Sequence, residues 1–145
     1  MTDHKPVVLF LCTGNSCRSQ MAEAFARRYA GDRLEVHSAG LVPAGIHPMT
    51  IQVMEEAGVS MDGHRSKSVD DFLGRLVPHY LFIVCDHAAG NCPTVWPGGP
   101  AMERIVHTFP DPVTAVGSDQ QKLQAFRDVR DQIDQAVRQW TDTLR

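Results

Sequence analysis

No apolar run in this 145-residue chain approaches the roughly 20 residues a membrane-spanning helix needs, so no membrane association is expected. An excess of positive charge is missing too. Lys and Arg number 14 against 17 Asp and Glu, giving a formal net charge of −3, and non-specific nucleic-acid binding has no electrostatic support. Internal repeats, low-complexity tracts and domain linkers are absent. One domain over residues 1–145 is therefore expected, acting as a monomer. The start, Met1-Thr2-Asp3-His4-Lys5-Pro6, shows no small-residue cleavage site, so no signal peptide is read and a cytoplasmic address is expected. There the four cysteines should rest reduced, and a disulfide among them would be catalytic rather than structural.

What the chain does have is alternation of buried-strand and amphipathic-helix patterns. Val7-Val8-Leu9-Phe10-Leu11 and Tyr80-Leu81-Phe82-Ile83-Val84 are continuous apolar runs, as in strands covered on both faces. Shorter strands are predicted over Leu34 to Ser38 and Arg104 to Phe109. A helix is predicted from Ser19, with Met21, Ala22, Phe25, Ala26 and Tyr29 on one face, Gln20, Glu23, Arg27 and Arg28 off it, and Gly31 as terminator. A second begins at Pro48, turns Ile51, Met54 and Ala57 inward and stops at Gly58. A weaker one is read around Val69 to Leu76. Ser118 with Gln121 reads as a capping box for a last helix running to about Leu144. This order predicts a three-layer α/β/α fold around a central parallel sheet of four strands.

The most informative segment is Cys12-Thr13-Gly14-Asn15-Ser16-Cys17-Arg18-Ser19, between a buried strand and a helix start. Backbone N–H groups of Thr13 to Arg18 can converge there on one anion, with the helix N-terminus adding positive potential. Gly14 and Asn15 tolerate the left-handed backbone such a curl requires. Arg18 supplies a planar fork for a tetrahedral oxyanion. The same surroundings should keep Cys12 a thiolate nucleophile, with Ser19 donating to it. The plainer alternative for Cys12 is an inert strand-end thiol. Cys17 reads as a structural thiol inside the loop.

Cys85 directly follows the second buried run, and Cys92 comes after six intervening residues. In a parallel sheet Cys12 and Cys85 then share the carboxyl edge, and three thiols give two-electron exchange a route. A helical segment from Cys85 to Cys92 would hold the two Cα atoms about 10.5 Å apart, whereas a disulfide needs roughly 7 Å or less. Forming that disulfide from a helix would require the segment to loop out. Two other readings stand beside this one: incidental thiols, or zinc ligation, for which the spacing is too wide and no second close pair exists, so no metal is expected. Asp111-Pro112 follows a predicted strand, where a carboxyl can protonate a leaving oxygen or simply shape a turn.

The run Cys12 to Glu23 resembles the active-site loop of the low-molecular-weight tyrosine phosphatase superfamily, and more closely the thioredoxin-coupled arsenate reductases. Ser38-Ala39-Gly40, His64, Asp111-Pro112, the last helix and the Cys85 to Cys92 segment extend that resemblance over nearly the whole chain. It implies arsenate bound by Arg18 and the loop amides, attack by Cys12, and protonation by Asp111. A disulfide relay from Cys12 through Cys85 to Cys92 follows, with thioredoxin supplying electrons and no bound cofactor. Val113-Thr114-Ala115 stand where the phosphatases usually carry a tyrosine. Some relatives bind potassium through Asn, Glu, Ser and Asp. Asn15, Glu23 and Ser38 match, but Lys67 stands in place of the Asp, which predicts no potassium requirement. A small phosphatase and a non-enzymatic oxyanion or thiol redox sensor are the alternatives.

Overall fold

The computed structural model describes residues 5–72, 74–84 and 102–144. Four strands, β1 (Val7–Cys12), β2 (Glu35–Gly40), β3 (Tyr80–Ile83) and β4 (Glu103–Val106), pair in the order β2-β1-β3-β4, all parallel. Helices α1 (Arg18–Ala30), α2 (Pro48–Glu56) and α3 (Asp119–Asp142) flank them, with short 3-10 turns at Val69–Asp71 and Pro112–Thr114. The predicted α/β architecture is thus the observed one.

Both faces of the sheet are covered, because Val8 to Leu11 are all completely buried although successive side chains point opposite ways. On the Phe10 side, Trp140 of α3 meets Phe10, Tyr80 and Phe82 edge-on at ring separations of 5.3–6.2 Å. Leu9 pairs with His37, so the ring of Phe72, 5.4 Å from that imidazole, lies over the opposite face. The Cys12↔Gly40 register sets the end of β1 beside the end of β2. His107 and Phe109 continue from β4 by donating to the carbonyls of Ile83 and Val84. The chain thereby returns to the carboxyl edge, where a ligand site is expected in such sheets.

Several sequence expectations need correction. β2 runs through Ala39 and Gly40 instead of stopping at Ser38, because parallel pairing with Leu11 and Cys12 extends it. β4 ends at Val106, short of Phe109. The helix predicted around Val69 to Leu76 is a single 3-10 turn capped by Ser68 and Asp71. In α2 the buried residues are Thr50, Val53 and Met54, while Ile51 is exposed. Arg127 and Arg130 of α3 hold Glu56 and dock the opposite side of that helix. Gln20 and Glu23, set off the apolar face of α1, are buried, which turns out to matter for the site. Gly31 caps α1 in a right-handed conformation, not the left-handed one a glycine stop suggests. The Ser118/Gln121 capping box forms as predicted.

No helix among the described residues is long and apolar enough to cross a membrane. The corrected face of α2 and the core face of α3 give a paired expectation. Ile133→Ala, at a fully buried position, should cost about 2–5 kcal/mol in urea unfolding. Ile51→Ala should change stability by about 0.5 kcal/mol or less; an equal loss at both positions would restore the original facing of α2.

Candidate active site

Cys12 is the last residue of β1, Arg18 the first of α1, and residues 13–17 curl between them. The curl is fixed from outside by its own carbonyls. Thr13 O accepts from Val42 N (3.0 Å), Gly14 O from Ala44 N (3.0 Å) and Ser66 Oγ (3.1 Å), and Ser16 O from His47 N and Thr50 Oγ1 (both 3.1 Å). Asn15 O faces Gln20 Nε2 at 3.4 Å. All peptide bonds are trans among the described residues, so each N–H points away from the carbonyl of its own peptide unit. The N–H groups of Gly14, Asn15, Ser16 and Cys17 therefore point inward. Asn15, at φ +48°, is the only non-glycine residue described with a left-handed backbone, and its N–H meets Cys12 Sγ at 3.3 Å.

Cys12, Thr13, Gly14, Ser16 and Cys17 line a cleft of about 270 Å³, closed by Val42, Ala44, Arg18, Asp111 and Val113. Ser19 Oγ lies 2.9 Å from Cys12 Sγ. Arg18 is almost fully buried; Nη1 donates to Phe109 O (3.2 Å) and Nη2 lies 3.5 Å from Asp111 Oδ2. Asp111 caps the Pro112–Thr114 turn through Oδ1, which accepts from Val113 N at 3.0 Å. Its carboxylate is thus the present partner of the arginine that an oxyanion would engage. Burial pushes the Cys17 thiol well above its ordinary value, and negative charge at Cys12 and Asp111 adds to this against Arg18. The raised pKa favours the protonated thiol at Cys17.

Behind the loop lies a buried polar cluster. Asn15 Nδ2 donates to Ser19 Oγ (2.7 Å) and Ser38 Oγ (3.0 Å), while Asn15 Oδ1 accepts from Gln20 Nε2 (2.9 Å) and Lys67 N (2.7 Å). Ser38 Oγ donates to Glu23 Oε1, which also meets Lys67 Nζ at 3.4 Å, and Arg27 holds Glu23 Oε2 at 2.7 Å. The Lys67 ammonium thus reaches the very carboxylate matched to the potassium ligands. Its own pKa is lowered, by burial first, with Glu23 pulling the other way. No group of three or more His, Cys, Asp or Glu suited to a metal ion occurs among the described residues.

The structure brings Cys12, Thr13, Gly14, Ser16, Cys17, Arg18 and Asp111 together around one cleft, with Asn15 and Ser19 buried behind it. Cys85 and Cys92, with the segment between them, lie outside the described residues; the described chain reaches Val84, whose N–H donates to Leu11 O at 3.0 Å. Sequence reasoning missed Gln20, the aliphatic wall, and the anchoring of Arg18 by Phe109 O. A glutamine directly after the loop was the only available signal for the first, and helical periodicity placed it off the apolar face. Gly40 is a further contributor: a Cβ there would sit 2.7 Å from both Asn15 N and Thr13 O. Gly40→Ala should displace the loop and weaken oxyanion binding by tenfold or more while leaving a cooperative melt. Isothermal titration with phosphate checks this, and unchanged affinity would show that the close approach is not needed.

The family model of low molecular weight phosphotyrosine protein phosphatases matches residues 7–145. The arsenate reductase of Halalkalibacterium halodurans is 38% identical over 141 residues, 97% of this chain and 98% of that protein. A solved arsenate reductase in the phosphate binding state has a TM-score of 0.71 at 30% identity, covering 97% of this chain and 99% of the other. A thioredoxin-dependent arsenate reductase from Corynebacterium glutamicum has a TM-score of 0.72 at 25% identity, covering 99% of this chain and 63% of that one. Since the match runs unbroken from β1 through the anion loop to α3, the chain belongs to the low molecular weight phosphotyrosine protein phosphatase family.

Proposed function

We propose that the protein reduces arsenate to arsenite, with Cys12 as nucleophile and thioredoxin as electron donor. The observation that carries this reading is the cleft itself. Its floor offers a sulfur beside inward N–H groups and one buried guanidinium, enough for a small tetrahedral oxyanion. Its rim is aliphatic, with Val42, Ala44 and Val113 where an aryl ester would need a flat aromatic partner. The full-length similarity to arsenate reductases supports the same choice over phosphomonoester hydrolysis.

Arriving arsenate displaces Asp111 from Arg18 and sits over Cys12. The thiolate attacks arsenic while an oxygen leaves with a proton from Asp111, forming a Cys12–arsenic bond. Cys85 then attacks the Cys12 sulfur. The sulfur–arsenic bond breaks, its electron pair stays with arsenic, and arsenite leaves a Cys12–Cys85 disulfide. Cys92 attacks Cys85, freeing Cys12, and thioredoxin reduces the resulting Cys85–Cys92 disulfide. Lys67 supplies the fixed positive charge beside Glu23 that a potassium ion would otherwise provide.

A coupled assay following NADPH oxidation with thioredoxin, its reductase and arsenate tests the whole reading. Sustained turnover is expected; one equivalent per chain would make the protein a sensor, and faster hydrolysis of an aryl phosphate would make it a phosphatase. Within that assay Cys12→Ser should abolish turnover. Asp111→Asn should slow the first step in single turnover by about 10²–10⁴-fold with arsenate binding retained. Unaltered single-turnover kinetics would remove Asp111 from the step. Rates in sodium and potassium buffers of equal ionic strength should agree for the natural protein, and Lys67→Asp should make them diverge in favour of potassium. A large potassium gain in the natural protein would show that the ammonium does not replace the ion.

A further inference from the structure

Gln20 is a completely buried glutamine in the first turn of α1, and no step above uses it. Its Nε2 donates to Arg65 O at 2.8 Å. A backbone carbonyl only accepts, so the amide orientation is fixed: nitrogen toward Arg65 and Asn15, oxygen toward His64. The oxygen meets His64 Nδ1 at 3.1 Å, and that nitrogen must carry a hydrogen. Burial holds this imidazole below its ordinary range; Glu23 opposes the shift, and Arg27 and Lys67 reinforce it. The next link is fixed in the same way. Lys67 N only donates, so Asn15 Oδ1 faces Lys67 and Gln20 and Asn15 Nδ2 faces Ser19 and Ser38.

Among the described residues, Ser19 Oγ has Asn15 Nδ2 and Cys12 Sγ as partners. The amide can only donate, and an ionised sulfur only accepts, so with Cys12 as the thiolate nucleophile the hydroxyl hydrogen is directed to the sulfur. The chain of donors therefore runs one way, from His64 Nδ1–H to Gln20, Asn15, Ser19 and Cys12 Sγ. Gln20 also approaches Asn15 O at 3.4 Å, so it grips both the backbone and the side chain of the one left-handed residue in the loop. The second donor to the sulfur, Asn15 N–H, depends on that same backbone turn.

We infer that Gln20, oriented by His64, is a positioning residue that aims both described hydrogen-bond donors at the Cys12 sulfur and so sets its reactivity as a nucleophile. This rests on Cys12 being the nucleophile of the proposed reaction. Gln20 touches neither the cleft nor an oxyanion there. Its loss should act on kcat and on the thiol, and spare the inward amides of Gly14 and Cys17, whose peptide carbonyls are held by Val42 N and by His47 N and Thr50 Oγ1.

The test is the rate at which iodoacetamide labels Cys12, followed by peptide mass over a range of pH on the full chain. In Gln20→Met the rate near neutral pH should fall about tenfold, consistent with losing hydrogen bonds that support an ionised sulfur. The pH midpoint of labelling should move upward, and kcat for arsenate should fall with KM little changed. A folded Gln20→Met that labels within twofold of the natural rate overturns the inference. If Gln20→Met does not fold, the His64 variants decide at the surface end of the chain. His64→Leu removes the donor and should slow labelling, whereas His64→Asn restores an N–H and should recover the rate. Equal labelling in these two variants overturns the inference. Labelling needs no arsenate, so absence of arsenate turnover in the natural protein would defeat the proposed function while the labelling comparison still judges Gln20.

Discussion

The side-chain amide of Asn15 sits where β1, the anion loop, α1, β2 and the 61–67 segment meet. Its four hydrogen bonds reach Ser19 and Gln20 on α1, Ser38 on β2 and the Lys67 backbone. A non-glycine residue at φ +48° is conformationally costly, and an asparagine bears that cost least. Those four bonds also leave the amide no freedom to flip. With the turn locked, the adjoining peptide units present carbonyls to the scaffold and N–H groups to the cleft. The inward direction of the loop's N–H groups thus follows from how its carbonyls are satisfied, a requirement every buried peptide must meet.

Charge is balanced in two separate compartments. In front of the loop, Arg18 is buried and held by Phe109 O and Asp111, so it is already aimed before an anion arrives. Behind the loop, Glu23 is buried among Ser38, Arg27 and Lys67. Burying that carboxylate without partners would cost several kcal/mol. Three donors make it tolerable and join β2, α1 and the Lys67 strand-like stretch through Gly40 N to Lys67 O at 2.9 Å. The two compartments are separated by the loop backbone, so the rear cluster reaches Cys12 Sγ through Ser19 without entering the cleft.

Much of this was legible in the sequence. Continuous apolar runs marked β1 and β3 because a sheet covered on both faces has no polar side to alternate with. Cys12, Gly14, Asn15, Arg18 and Ser19 were readable because a loop between strand and helix has few uses for that set other than binding an anion. Lys67 was readable as a departure from the family's metal ligands, and the structure sets its ammonium beside Glu23.

Other features were decided only by tertiary structure. Helical periodicity orders residues around one axis and does not report what lies opposite each face, so Gln20 and Glu23 looked like solvent-side residues and Ile51 like a core residue. The partners that bury the first two come from residues 38, 64, 65 and 67, far along the chain. Gly40 read as lying beyond the end of a strand, and its need to lack a side chain exists only because β2 pairs in register with Cys12. The sequence by itself determined which chemical groups the site contains and where the sheet presents them. The direction in which each hydrogen bond points was settled by fixed backbone donors and acceptors brought in from distant segments, because an amide or hydroxyl takes its orientation from its neighbours and carries none of its own.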